Sequence, residues 1–227
     1  MNKESAALFE RAVDRVMRTR VGTGIKQATK RVSLRLYRWT HAFGLIPPIQ
    51  WATWIILSAE EMRLIYDIVQ RRAPCNFLVF GLGDDSVVWD ATNHQGHTLF
   101  IEDDEEWVSS VLDEYPRLNV FTYTYETERH EWEDLLDRPD ELEMDLPESV
   151  LKRSWDIILV DAPAGHGSDL PGRMQSIYTA SWLAGPGTDV FVHDIDREVE
   201  STYCDAFFAE KDWENQVQRL RHYRVTE

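Results

Sequence analysis

What most restricts the fold of this chain is a series of short, unbroken apolar runs, each stopping at a glycine or an acid and each separated from the next by a stretch of helical character. The runs are NFLVF at 76–80, TLFI at 98–101, DIILV at 156–160 and DVFVH at 189–193, with a weaker NVFTY at 119–123. A strand with one wet face alternates apolar and polar residues. Unbroken apolar side chains need cover on both faces, the situation of strands in a parallel sheet flanked by helices. Helices are expected from Ser58 to about Arg72, from about Asp84, from Glu105 to Tyr115, and after Pro171-Gly172-Arg173-Met174. Ser58 and Glu61 have the spacing of a capping box, and Pro74 stops the helix that they open. The acidic stretch 126–149, with two prolines, reads as surface helix and loops. The expected class is α/β: a doubly wound, mostly parallel sheet.

Charge divides the chain at about residue 57. Residues 1–57 carry ten Lys/Arg against three Asp/Glu, a balance of +7, whereas residues 58–227 carry fourteen against thirty-seven, a balance of −23. The expected organisation is a basic, partly amphipathic helical N-terminal extension, 1–57, followed by one domain, 58–227. An acidic body repels phosphate and excludes nucleic acid as a partner. Leu8, Val13, Val16 and Met17 recur at helical spacing, and Lys26, Lys30, Arg31, Arg35 and Arg38 continue a basic helix. That stretch could touch an anionic membrane peripherally or lie against the acidic body. FGLIPPIQWATWIIL at 43–57 is too short and too broken at Pro47-Pro48 to span a bilayer. With no export signal in the first residues and only two cysteines, Cys75 and Cys204, a reducing, cytoplasmic setting is expected. The sequence says nothing of oligomeric state.

Chemistry concentrates where the runs end. After 76–80 comes Gly81-Leu82-Gly83, then Asp84, Asp85 and Ser86. Glycines at a strand end allow a sharp turn and close approach of a cofactor to the backbone. Ser86 stands near the position of the third small residue in a dinucleotide fingerprint. Two acids at the head of the next helix suit a cationic cofactor better than a pyrophosphate, which points to S-adenosylmethionine rather than a nicotinamide dinucleotide. Alternatively, the acids complement the helix dipole. Glu102, ending the second run, is expected to accept the hydroxyls of a ribose.

Asp161 ends the run at 156–160, and His193 and Asp194 end the run at 189–193. Ligands of open α/β sheets bind outside the carboxyl ends of the strands. Asp161 and Asp194 could share a hard cation such as magnesium or manganese, which would acidify a bound hydroxyl. His193 and His166 are candidate general bases. Arg173 could clamp a carboxylate of the acceptor or pair with a nearby acid.

The segments CNFLVFGLGDDS, TLFIEDDEEW, WDIILVDAPAGH, PGRMQSIYTA and DVFVHDIDREVE resemble, in the same order, those of the plant glucuronoxylan 4-O-methyltransferase family. The resemblance runs from about Ser58 to Phe208. It implies a class I methyltransferase fold, S-adenosylmethionine as methyl donor and, in the plant enzymes, the 4-hydroxyl of glucuronic acid as acceptor. It further implies that Gly81, Gly83 and Glu102, with Asp85, Ser86 and Asp161 beside them, bind the cofactor. Asp161, Arg173, His193 and Asp194 would then line the acceptor side. The position of Asp161 and Asp194 is similar to that of magnesium-holding acids in the catechol O-methyltransferase group. Two departures stand out: the membrane anchor and lumenal stem of the plant proteins are not seen here, and the stretch between the third and fourth strands is shorter and more acidic. The expected activity is O-methylation of a hydroxylated carbohydrate, uronic acid or small molecule. The alternative is a non-catalytic accessory of polysaccharide synthesis that docks through the basic helices.

Overall fold

The computed structural model describes residues 57–227; the basic helices and nearly all of the Pro47-Pro48 stretch lie outside the described residues. The chain divides into two compact units, Met1–Ala59 and Glu60–Glu227, and the second holds the sheet. In chain order its elements are α1 (Ala59–Arg72), β1 (Asn76–Phe80), α2 (Ser86–Thr92), β2 (His97–Glu102), α3 (Glu105–Glu114) and β3 (Val120–Thr122). Short helices α4 (Trp132–Leu136) and α5 (Glu148–Leu151) follow, then β4 (Ile157–Val160), α6 (Met174–Leu183), β5 (Asp189–Val192), α7 (Glu198–Phe207), β6 (Trp213–Val217) and β7 (Leu220–Arg224).

The seven strands lie in the order β3-β2-β1-β4-β5-β7-β6. The first five are parallel, and β7 enters antiparallel between β5 and β6. This is the class I methyltransferase arrangement. Its strand order reverses between β1 and β4, where such sheets open a crevice at the carboxyl ends. Register aligns those ends: Phe80 pairs with Ile101 and with Val160, and Val160 pairs with Val192. Gly81, Glu102, Asp161 and His193 therefore emerge along one edge.

The apolar runs are strands for the reason anticipated: β4 and β5 are buried at every residue, and β1 at all but Asn76. On one face Leu78, Phe80, Leu99, Ile101, Ile158, Val160, Val190 and Val192 pack with Met174, Ile177 and Ala180 of α6 and with Val199 and Tyr203 of α7. On the other face Phe77 meets the edge of Trp89 from α2, ring centroids 6.4 Å apart. The 126–149 segment is more than surface loop. Most of its charged residues face water while Leu135, Leu142, Met144 and Leu146 join the core, followed by Val150. The β6–β7 hairpin was not anticipated, because WENQV and LRHYR lack an apolar pattern. Buried Arg221 nevertheless pairs with Asp205 at 2.6 Å and lies 4.2 Å over the ring of Trp213.

At the amino end of β5, away from the strand-end crevice, Asp189 is almost fully buried. It pairs with Arg72 of α1, with Arg224 at 2.8 Å and with His222 Nε2 at 2.9 Å. Among the described residues, no helix is long and apolar enough to cross a membrane.

Candidate active site

Gly81 follows β1 with φ +118°, a backbone conformation that L side chains rarely adopt. A Cβ there would approach the Ala162 Cβ to 3.1 Å, so this glycine also permits the β1 and β4 loops to touch. The Gly83 amide donates to Ser86 Oγ at 3.0 Å, which gives buried Ser86 a local structural role in the turn. Trp107 Nε1 donates to the Leu82 carbonyl and pins the loop from the α3 side.

Glu102 is the best-defined polar group of this half. Its Oε2 accepts from the Leu82 amide at 2.7 Å, and Oε1 accepts from Asp103 and Asp104 at 3.1 and 3.2 Å. Three of the roughly four acceptor positions of a carboxylate are thus used, leaving one on Oε2 for a hydroxyl. Burial pushes this carboxyl up to about 7 against the pull of the amide bonds. Asp85, at the head of α2, accepts from Trp89 Nε1 at 2.9 Å. Burial, then the charge of Asp161, raises it from 3.8 to about 7. An ordinary carboxyl at these positions would be fully ionised at neutral pH. These two are balanced at the point where a cation or a set of hydroxyls draws them into the charged form.

The second half of the site is an ion network. Asp161 Oδ1 takes a hydrogen bond from His193 Nδ1 at 2.8 Å and contacts an Arg173 terminal nitrogen at 3.1 Å. Burial alone would raise the Asp161 carboxyl, but Arg173 and His193 outweigh it and hold it below the usual range. Its side chain keeps 21% of its surface exposed, whereas His193 has none. His193 Nε2 makes no hydrogen bond and sits 3.7 Å from Glu61 Oε2. Asp194, at φ +60°, is gripped by Arg173 at 2.8 Å, Arg197 at 2.9 Å and Arg219 at 2.6 Å. Glu61 Oε1 in turn accepts from the Arg219 amide at 2.8 Å.

This geometry redistributes the expected roles. Asp161 and His193 come together, and Asp161 alone of the pair reaches solvent. Buried His193 can orient Asp161 but has no open face toward an acceptor. His166 is exposed on the loop after β4 and stands apart from the hydrogen bonds that tie the cluster. Arg173 is 5% exposed, and it also donates to the Pro163 and His193 carbonyls. Every nitrogen of its guanidinium is engaged, so it holds the network and has no edge left to clamp a substrate.

One atom each from Asp161, His193 and Asp194 lies within 4.8 Å of the others, close enough to share an ion. The donor set does not fit a divalent cation, however. Both Asp194 oxygens and Asp161 Oδ1 already face guanidinium groups, whose positive charge would repel the metal. The turn at Gly81, the open acceptor position of Glu102 and the paired acids do fit a cationic nucleoside cofactor.

Glu61, Arg197 and Arg219 were missed as members of the site. One signal was available for Glu61: it falls on the buried stripe of α1 with Met62, Ile65, Ile68 and Val69, a carboxylate where a hydrophobe belongs. Nothing in the local sequence marks Arg219, which lies in the β6–β7 turn.

Residues 60–144 and 141–223 match the model of the family described as IRX15/IRX15L/GXM. The chain belongs to this family. Among its relatives, glucuronoxylan 4-O-methyltransferase 2 of Arabidopsis thaliana is 38% identical over 187 residues, covering 73% of this chain and 64% of that protein. Arabinogalactan O-methyltransferase 2 of the same plant is 36% identical over 193 residues, covering 74% and 66%. The chain thus spans a little under two thirds of the length of the first of these relatives. Among solved structures, a methyltransferase-like protein from Silicibacter pomeroyi aligns at a TM-score of 0.47 and 15% identity, over 77% of this chain and 89% of that one.

Proposed function

We propose that this protein is an S-adenosylmethionine-dependent O-methyltransferase whose acceptor is a hydroxyl of a sugar or uronic acid. The observation that carries the reading is the row of acids along one sheet edge. Glu102 is held by three backbone amides, and Asp85 and Asp161 flank the Gly81 turn with opposite ionisation tendencies. The relatives named for O-methylation of plant polysaccharides support the carbohydrate acceptor.

When bound, the cofactor supplies a methyl group made electrophilic by a sulfonium. Glu102 Oε2 would receive a ribose hydroxyl, and ionised Asp85 would offer a counter-charge to the cationic end. The exposed side of Asp161 accepts a hydrogen bond from the acceptor hydroxyl and takes its proton once the new O–C bond has formed and the C–S bond of the donor has broken to leave a neutral thioether. A carboxylate held low is a weak base, so its main contribution is orientation; the proton moves late, when the acceptor oxygen has become acidic. His193 and Arg173 fix the Asp161 rotamer and keep it charged. No step requires a metal.

The test is methyl transfer from labelled S-adenosylmethionine to uronic-acid-bearing oligosaccharides, neutral oligosaccharides and small hydroxylated metabolites, beside calorimetric titration of the cofactor. Transfer to a saccharide is expected. No binding heat and no thermal shift at millimolar cofactor would sink the reading.

A further inference from the structure

Four arginines stand on the loops beyond the carboxyl edge of the sheet: Arg129, Arg173, Arg197 and Arg219. Three are held by acids. Arg173 and Arg219 bind Asp194, and Arg197 binds Asp194 and Glu200. Arg129 is the exception. Its guanidinium makes no hydrogen bond or ion pair with a described residue, although its Nε is fully buried. A buried N–H without an acceptor is costly, and its standing unpaired among so many acids calls for a reason. The acids next to it in sequence are turned elsewhere: Glu128 pairs with His130 at 3.3 Å, and Glu131 accepts from the Glu128 amide at 2.9 Å.

The backbone around Arg129 is fixed to the loop that carries the catalytic edge. Its amide donates to the Leu170 carbonyl at 2.7 Å, that of His130 donates to Ser168 at 3.1 Å, and Thr127 Oγ1 donates to Pro171 at 3.1 Å. Gly172, at φ +70°, lies against the arginine stem, where a Cβ would come within 3.3 Å of Arg129 Cβ. The next residue in the chain, Arg173, grips Asp161. The 168–172 loop therefore ties the segment that carries Arg129 directly to the residue that grips the acceptor-facing carboxylate.

We propose that Arg129 is the specificity-determining residue for the acceptor and binds the carboxylate of a uronic acid whose hydroxyl is presented to Asp161. The inference rests on the methyl-transfer reading, and it moves the carboxylate clamp from Arg173, which has no free edge, to Arg129.

The test compares two probes: a xylan-derived oligosaccharide bearing one glucuronate, and the same oligosaccharide after reduction of the carboxyl to a primary alcohol. Binding is titrated in the presence of S-adenosylhomocysteine, so that affinity is read without turnover, and kcat/KM is measured in parallel. The full chain should prefer the uronate on the order of ten- to a hundredfold, as expected for a charge-assisted pair. Arg129→Gln should collapse that ratio toward one, and Arg129→Lys should retain part of it. A full chain that binds both probes equally or binds neither, or an Arg129→Gln protein that keeps the preference, overturns the proposal. If the uronate binds with the expected preference and no methyl is transferred, the methyl-transfer reading falls and the carboxylate site stands.

Discussion

Replacing Asp194 by Asn separates an ion-pair hub from a metal ligand. Asn tolerates the left-handed backbone that Asp194 adopts at φ +60°, so the substitution removes charge with little change of conformation or volume. In the network described above, it leaves three guanidinium groups around an amide whose own N–H groups face them. Loss of one partner of a buried pair costs roughly 3–5 kcal/mol. Arg173 is 6% exposed and loses one of its two acids, keeping Asp161, while Arg197, which keeps Glu200, and Arg219 have 27% and 36% of their side chains in water and lose less. The expected cost is therefore at the lower end, about 3 kcal/mol. At roughly 2–4 °C per kcal/mol for a domain of this size, the melting temperature should fall by about 6–12 °C. The assay is a thermal melt, paired with urea unfolding, of both proteins in chelator, magnesium and manganese. A metal site predicts the reverse pattern: relief of carboxylate repulsion in chelator and a cation-induced rise that the variant lacks. A variant as stable as the parent, or a parent that loses methyl transfer on chelation and regains it with magnesium, would refute the argument.

Other expectations follow from single groups. Asp161→Asn should lower the rate of methyl transfer by about 10²–10⁴, the span of a positioned proton acceptor, with the fold retained by circular dichroism. Glu102→Gln should weaken cofactor binding about ten- to a hundredfold by calorimetry. Because Glu102 and Asp85 both sit near 7 and the cofactor favours their ionised forms, affinity should rise as pH goes from 6 to 8. Proton release should then appear as buffer-dependent binding heat, reduced in Asp85→Asn. At the opposite edge of the sheet, burial works to raise Asp189, but His222, Arg72 and Arg224 hold it below 3.8. Its stabilisation is therefore present above that pH and lost as pH falls through the depressed value. Asp189→Ala should cost about 3–5 kcal/mol near neutrality in urea unfolding and progressively less in acid.

The residues readable from sequence were those whose position is fixed by one strand. Gly81, Glu102, Asp161, His193 and Asp194 each end an apolar run, and parallel register brings run ends to one edge without further information. Their duties were less readable, because these depend on residues far along the chain. Arg173 looked available for substrate until Asp161, Asp194 and two carbonyls enclosed it. Glu61 was readable as the capping partner of Ser58, but not its place on the buried stripe of α1, which puts it against Arg219 and His193. The β6–β7 hairpin escaped for a related reason. Arg221 and His222 are buried and paired with Asp205 and Asp189, partners on other elements, so no alternation of polarity records the strand. In 126–149 the abundance of acids hid the spaced hydrophobes that anchor the segment.

The bond between Glu61 and the Arg219 amide spans 158 residues, and Arg219 also completes the grip on Asp194. Contacts so distant in the chain are among the last a folding polypeptide can make, since the loop they close is entropically expensive. The Gly81 turn and the amides around Glu102 need only neighbouring βα units. The Gly81 turn and the amides around Glu102 should therefore be in place before the grip on Asp194 closes, so the two halves of the site are completed at different stages of folding.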